Sequence, residues 1–120
     1  MPRLSLPVLA ATVLAVAAGC GSSSSSQSQK PQRAADGALV IRMQDIQFVP
    51  KQVTVRVGQK VRWVNDDNVQ HDVIADSGAR FHSRTFGKGG TFTFTPTKPG
   101  TIAYECDLHP GMTGTLTVTK

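Results

Sequence analysis

From Ala38 to the end, apolar residues recur at every second position in short runs separated by turn formers. Successive side chains of a strand point to opposite faces, so this period is that of half-buried β-strands. Leu39, Ile41 and Met43 alternate with Val40 and Arg42; Val53, Val55 and Val57 with Gln52, Thr54 and Arg56; Val61 and Trp63 flank Arg62. Later, Phe92 and Phe94 alternate with threonines, Ile102, Tyr104 and Cys106 share one face, and Leu116 and Val118 alternate with Thr115, Thr117 and Thr119. Breaks at Pro50, Gly58, 65–68, 87–90, 96–100 and Pro110-Gly111 divide the stretch into seven or eight strands, the pattern of a β-sandwich. No segment carries a helical 3.6 period, and no internal repeat is visible.

The first 37 residues have a different character. Arg3, an apolar stretch from Leu4 to Ala18 broken by Pro7, and small residues before Cys20 read as a signal peptide over 1–19. At roughly 15 apolar residues the stretch is short for a membrane span. Ala17-Ala18-Gly19-Cys20 resembles a bacterial lipobox, which implies cleavage before Cys20 and acylation of its thiol. Residues 21–37, GSSSSSQSQKPQRAADG, contain almost nothing apolar and cannot offset their ordering entropy by burial. Residues 20–37 are therefore expected to form a lipidated Cys and flexible tether, spanning roughly 20–25 Å, ahead of a folded domain at 38–120.

The chain has 13 Lys and Arg against 8 Asp and Glu; Arg3 belongs to the leader, so the mature chain carries +4. With no run of Lys or Arg, this mild excess argues against nucleic acid as a partner. There are two cysteines, Cys20 and Cys106. Acylation of the first leaves the second without a disulfide partner in an exported domain, where a lone thiol needs another purpose.

Strand parity turns Cys106 inward at the end of its strand, with His109 three residues on and Met112 three further. The segment Cys106-Asp107-Leu108-His109-Pro110-Gly111-Met112 thus sets a thiolate, an imidazole and a thioether on one loop that can wrap a single ion. Sulfur ligands beside nitrogen select copper over magnesium or calcium. A trigonal site lacks one more nitrogen, and His71 is the candidate: it follows a polar loop, and loops at one end of a sandwich meet. Two histidines and a Cys with a weak axial Met form the ligand set of blue-copper electron-transfer sites. Met43, Trp63 and Tyr104 read as core, Asp66-Asp67 as a turn, and His82 as a solvated side chain or a rim contact for a partner.

Phe48-Val49-Pro50 through Val55, Gly58, Val61-Arg62-Trp63-Val64-Asn65, His71, Tyr104 to Met112 and Gly114 resemble the plastocyanin/azurin-type cupredoxins over residues 38–120. The Cys-x2-His-x2-Met spacing is like that of amicyanins. The resemblance implies an all-β Greek-key cupredoxin sandwich and one type 1 copper held by His71, Cys106, His109 and Met112. It further implies a monomeric electron carrier, not an enzyme, working between a redox donor and a redox acceptor; the lipobox resemblance adds anchoring through Cys20 on the extracytoplasmic side of a bacterial membrane. Copper capture or delivery is the alternative, although storage proteins multiply their ligands and this chain has one set.

Two positions depart from the family pattern. Asn often follows the first His and Ser or Thr the Cys, where they pin the ligand loops together; this chain has Asp72 and Asp107. Two carboxylates cannot form that neutral bond unless one is protonated or each finds a backbone N–H. Glu105 precedes the Cys where plant plastocyanins have an exposed Tyr, so that second electron route is not expected.

Overall fold

The computed structural model describes Gly19 and residues 30–120. Apart from Gly19, the expected signal peptide, Cys20 and residues 21–29 lie outside the described residues. Among the described residues there are nine strands and no helix: β1 (Gln32–Arg33), β2 (Leu39–Gln44), β3 (Gln47–Val49), β4 (Gln52–Arg56), β5 (Val61–Asn65), β6 (Ile74–Ser77), β7 (Thr91–Phe94), β8 (Gly100–Glu105) and β9 (Thr113–Thr119). One sheet runs β1-β2-β5-β7 with β3 also paired to β2; the other runs β4-β9-β8-β6. The pairs β2/β5 and β4/β9 are parallel, and the remaining pairs are antiparallel. Without the two short pieces β1 and β3, seven strands remain, within the expected seven or eight.

The alternation in sequence becomes alternation in burial. Val53 and Val55 of β4, Val61 and Trp63 of β5, and Leu116 and Val118 of β9 face inward, while Thr54, Thr117 and their neighbours face water. Each fully buried aliphatic side chain contributes about 1.5–3 kcal/mol. Trp63 lies at the centre, edge-on to Tyr104 at 5.2 Å and within 5.8 Å of Phe81 and Phe92, while Phe48 meets Tyr104 at 4.8 Å. The Trp63 Nε1 and the Tyr104 hydroxyl meet no hydrogen-bond partner of good geometry, and burial pushes the Tyr104 phenol up. Tyr104 packs on the bare backbone of Gly114, where a Cβ would enter its ring. As expected, Met43 is core.

Residues 30–37 fell within the expected tether, yet strand pairing begins at Gln32, which sits opposite Val40. Polar contacts with the sheet, which an apolar-burial argument does not register, hold this segment. Asp36 forms a two-point ion pair with Arg62, at 2.6 and 3.2 Å, and accepts the Ala38 N–H. Arg33 donates to the Gln59 side chain at 3.0 Å. The Arg62 hydrogen bond, aided by the Ala38 amide, holds the Asp36 carboxyl at about 2.

Candidate metal centre

Three loops meet at the end of the sandwich where β5 and β8 finish. Cys106 follows β8, and its N–H bonds to the Met112 carbonyl at 2.9 Å, while the Met112 N–H reaches the His109 carbonyl at 3.2 Å. These bonds close 106–112 into one tight loop. Gly111, at φ +84°, takes the left-handed turn that brings the chain into β9. Cys106 and Met112 are buried, Leu108 is 46% exposed, and His109 is half-buried between them.

His71 comes from the loop after β5. Asn65 organises that loop: fully buried, it donates to the Val69 and Phe86 carbonyls and accepts the Asp67 N–H. His71 then exchanges both backbone hydrogen bonds with Phe86, and β6 begins only at Ile74.

These supports bring the ligand atoms together. The His71 and His109 Nδ1 atoms are 3.2 Å apart, and the Cys106 Sγ lies 3.8 Å from the first and 3.6 Å from the second. The three residues form a group able to hold a metal ion. A point equidistant from the three atoms lies about 2.1 Å from each, close to the ~2.0–2.3 Å of metal bonds to histidine and thiolate.

Proton placement supports the same conclusion. The His71 Nε2 lies 2.8 Å from the Asp67 carboxylate, which accepts a hydrogen bond from the Nε2–H and leaves the Nδ1 lone pair turned toward His109 and Cys106. Two ring nitrogens and a thiol converging with room for a cation are a donor set that fits copper. Burial pushes the Cys106 thiol up, so in the metal-free site the thiol keeps its proton near neutral pH.

Asp67 was read from sequence as a turn residue, and its larger role was missed. Besides His71, its carboxylate takes the N–H groups of Asp45 and Ile46, at 2.8 and 3.0 Å. Those two residues form the tight turn between β2 and β3 with positive φ at both positions, 52° and 57°, an unusual state for a β-branched side chain. Desolvation pushes Asp67 up, but the hydrogen bonds from His71, Ile46 and Asp45 outweigh it and hold its carboxyl below the ordinary range. Its place four residues before His71 is the one hint in the sequence.

Asp72 and Asp107 settle differently from the family pattern. The Asp72 carboxylate, 3% exposed, accepts the Asp107 backbone N–H at 2.8 Å, one of the two routes left open by the sequence. The Asp107 side chain is not needed for that link. His82 is exposed, as expected of a solvated side chain, with its Nε2 3.9 Å from Asp72.

A sequence profile described as Cupredoxin-like domain matches residues 10–118. Amicyanin of Paracoccus denitrificans is 31% identical over 120 residues, covering 92% of this chain and 92% of its own. Plastocyanin of Scenedesmus fuscus is 32% identical over 97 residues, covering 71% and 92%. Among solved structures, an oxidised amicyanin variant superposes with a TM-score of 0.67 at 29% identity, covering 78% of this chain and 95% of that one. A copper-containing nitrite reductase from Thermus scotoductus superposes at 0.63 and 28% identity, with 76% of this chain matching 25% of the larger enzyme.

Proposed function

The chain belongs to the cupredoxin family, and from that membership we propose that it carries single electrons between redox proteins on the extracytoplasmic side of a membrane. The convergence of the His71 Nδ1, Cys106 Sγ and His109 Nδ1 within 3.8 Å of one another carries this reading. Bound copper supplies the Cu(II)/Cu(I) couple and a thiolate-to-metal charge-transfer band. The protein supplies a fixed geometry. Asp67 sets the His71 tautomer, the Cys106–Met112 backbone bond fixes the loop, and buried Met112, at the end of that loop, would add a weak thioether donor to the His71, Cys106 and His109 set.

His109 is the ligand nearest water, and its neighbours Leu108 and Pro110 are exposed. Such a small apolar rim suits brief docking of a redox partner. Copper delivery fits less well, because His71 is held by Asp67 and the 106–112 loop is closed by its own backbone bonds. Enzymatic use of the fold occurs, as the nitrite reductase shows, but that enzyme is far larger than this chain. Among the described residues there is one metal-capable group, which suits a carrier of one electron at a time. The Ala17-Ala18-Gly19-Cys20 motif supports acylation of Cys20 and attachment to the membrane surface; Cys20→Ala should remove the protein from the lipoprotein fraction.

The test is copper loading followed by visible spectroscopy and voltammetry. One Cu per chain, an intense visible band and reversible one-electron cycling are expected. Cys106→Ser should abolish the band, and Met112→Leu should keep it while raising the reduction potential, since losing an axial donor destabilises Cu(II) more than Cu(I). A colourless wild-type protein, or rapid loss of Cu(I) to a moderate chelator well above pH 6.5, would defeat the carrier reading.

A further inference from the structure

Charge is distributed unevenly along the sandwich axis. Six of the eight carboxylate side chains, Asp45, Asp66, Asp67, Asp72, Glu105 and Asp107, stand at the metal end, in its loops or at strand ends that meet there, and outnumber Arg42, Lys51, Arg84 and Lys88 at the same end. The opposite end is built from the β4–β5 turn, the β7–β8 loop and the Asp36 turn. Backbone bonds from Val57 to Thr119 and from Gly58 to Pro96 tie the first two together with the end of β9. This end carries Arg56, Lys60 and Lys98, all exposed, with Val57 at 39% exposure between Arg56 and Lys60 in the turn. Lys98 and Arg80 line a hollow of about 530 Å³ over Phe94, Pro96 and Ile102. Arg56, Arg80 and Lys98 have no ion-pair partner among the described residues. The one carboxylate at this end, Asp36, is held by Arg62 at 2.6 Å and is 3.7 Å from Lys60.

We propose that this distal end is a docking surface for anionic phospholipid headgroups, holding the head upright with the metal end turned toward water. Long cationic side chains around an exposed aliphatic group match a headgroup layer, where the cations meet phosphates and the apolar group enters the boundary. The same negative surface repels the acidic metal end, so the charge asymmetry orients the head as well as attracting it. Chain length permits this pose. Gln32 lies opposite Val40, and Lys30 lines a hollow with Arg42 and Asp66. From there to Cys20 are ten residues, whose fully extended reach of about 33–36 Å exceeds the few strand residues down to the distal end. The surface is independent of acylation; the lipid-anchor reading adds only proximity to the membrane.

The nine strands and the core of the described residues lie within residues 30–120, so a chain of residues 21–120, without acyl group or leader, retains them. It should be sedimented with vesicles of phosphatidylcholine alone or with about 30 mol% phosphatidylglycerol. Binding should be at least about tenfold tighter to the anionic vesicles and fall sharply near ~0.5 M salt. The triple variant Arg56→Gln, Lys60→Gln, Lys98→Gln should lose that preference. The charge-matched variant Lys51→Gln, Arg84→Gln, Lys88→Gln, altered at the metal end, should keep it, with both variants retaining the wild-type melting temperature. Equal binding to both vesicle types, or equal loss in the two variants, overturns the proposal. Capture by an acidic polypeptide such as polyglutamate without vesicle binding also overturns it and makes the surface a protein-docking site. Absence of a blue copper band would leave these outcomes unaffected, so the two readings fail separately.

Discussion

The Asp72 carboxylate accepts a hydrogen bond from the Asp107 backbone amide at 2.8 Å, joining the loop that carries His71 to the loop that carries Cys106, His109 and Met112. Residues 35 apart in sequence thus become one support beneath the metal cluster, and the acceptor is nearly buried.

Asp72→Ala should cost about 1–2 kcal/mol, because the Asp107 N–H loses its acceptor at a part-buried position. Asp72→Asn keeps a carbonyl oxygen in place and should cost clearly less. Denaturant midpoints of the two variants decide the matter; equal losses would mean that the charge, not the bond, stabilises the fold.

Metal loading should release a proton. Burial pushes the Cys106 thiol above its ordinary value, so the thiol is protonated at neutral pH in the metal-free protein and must ionise to become a ligand. Loading in weakly buffered solution near pH 7 should release about one proton per chain, and copper affinity should rise with pH. Proton release unchanged in Cys106→Ser would contradict this assignment.

Gly114→Ala should destabilise the domain by about 1–3 kcal/mol, since the new methyl enters the ring of Tyr104. Tyr104→Phe alone should be close to neutral, because the buried hydroxyl it removes has no partner. Combining the two should recover part of the loss, which thermal denaturation of the three variants would show. Strict additivity would assign the clash to the ring carbons, which Phe keeps, and not to the hydroxyl.

Acid should weaken the attachment of β1. The folded-state value of Asp36 is depressed to about 2 from an ordinary 3.8, chiefly by the Arg62 hydrogen bond. Its contribution is therefore complete above about pH 4 and is lost as pH falls through about 2. Asp36→Asn should flatten the stability profile across that window and increase amide exchange at Ala38. An unchanged profile would show that the exposed pair adds nothing measurable, as many surface ion pairs do.

Much of the fold was legible because strand periodicity is local: two-residue alternation alone assigns Val53, Val55, Trp63, Ile102, Tyr104 and Leu116 to the interior, where they lie. The Cys106–Met112 loop was legible for the same reason, since three of the four candidate ligands fall within seven consecutive residues. His71 needed only the rule that loops at one end of a sandwich meet.

Other features required the tertiary structure. Asp67 reads as one of two turn aspartates until the β2–β3 turn delivers two N–H groups to it and His71 turns its Nε2 inward. Gln32 and Arg33 read as tether until β2 offers an edge and Arg62 a partner for Asp36. Which acceptor Asp107 finds, and that Arg56, Lys60 and Lys98 gather at the end opposite the metal, likewise depend on how two sheets stack. Periodicity and spacing are properties of neighbouring residues and survive in the linear chain, whereas hydrogen-bond partners and surface charge are properties of distances that exist only once the sheets have packed.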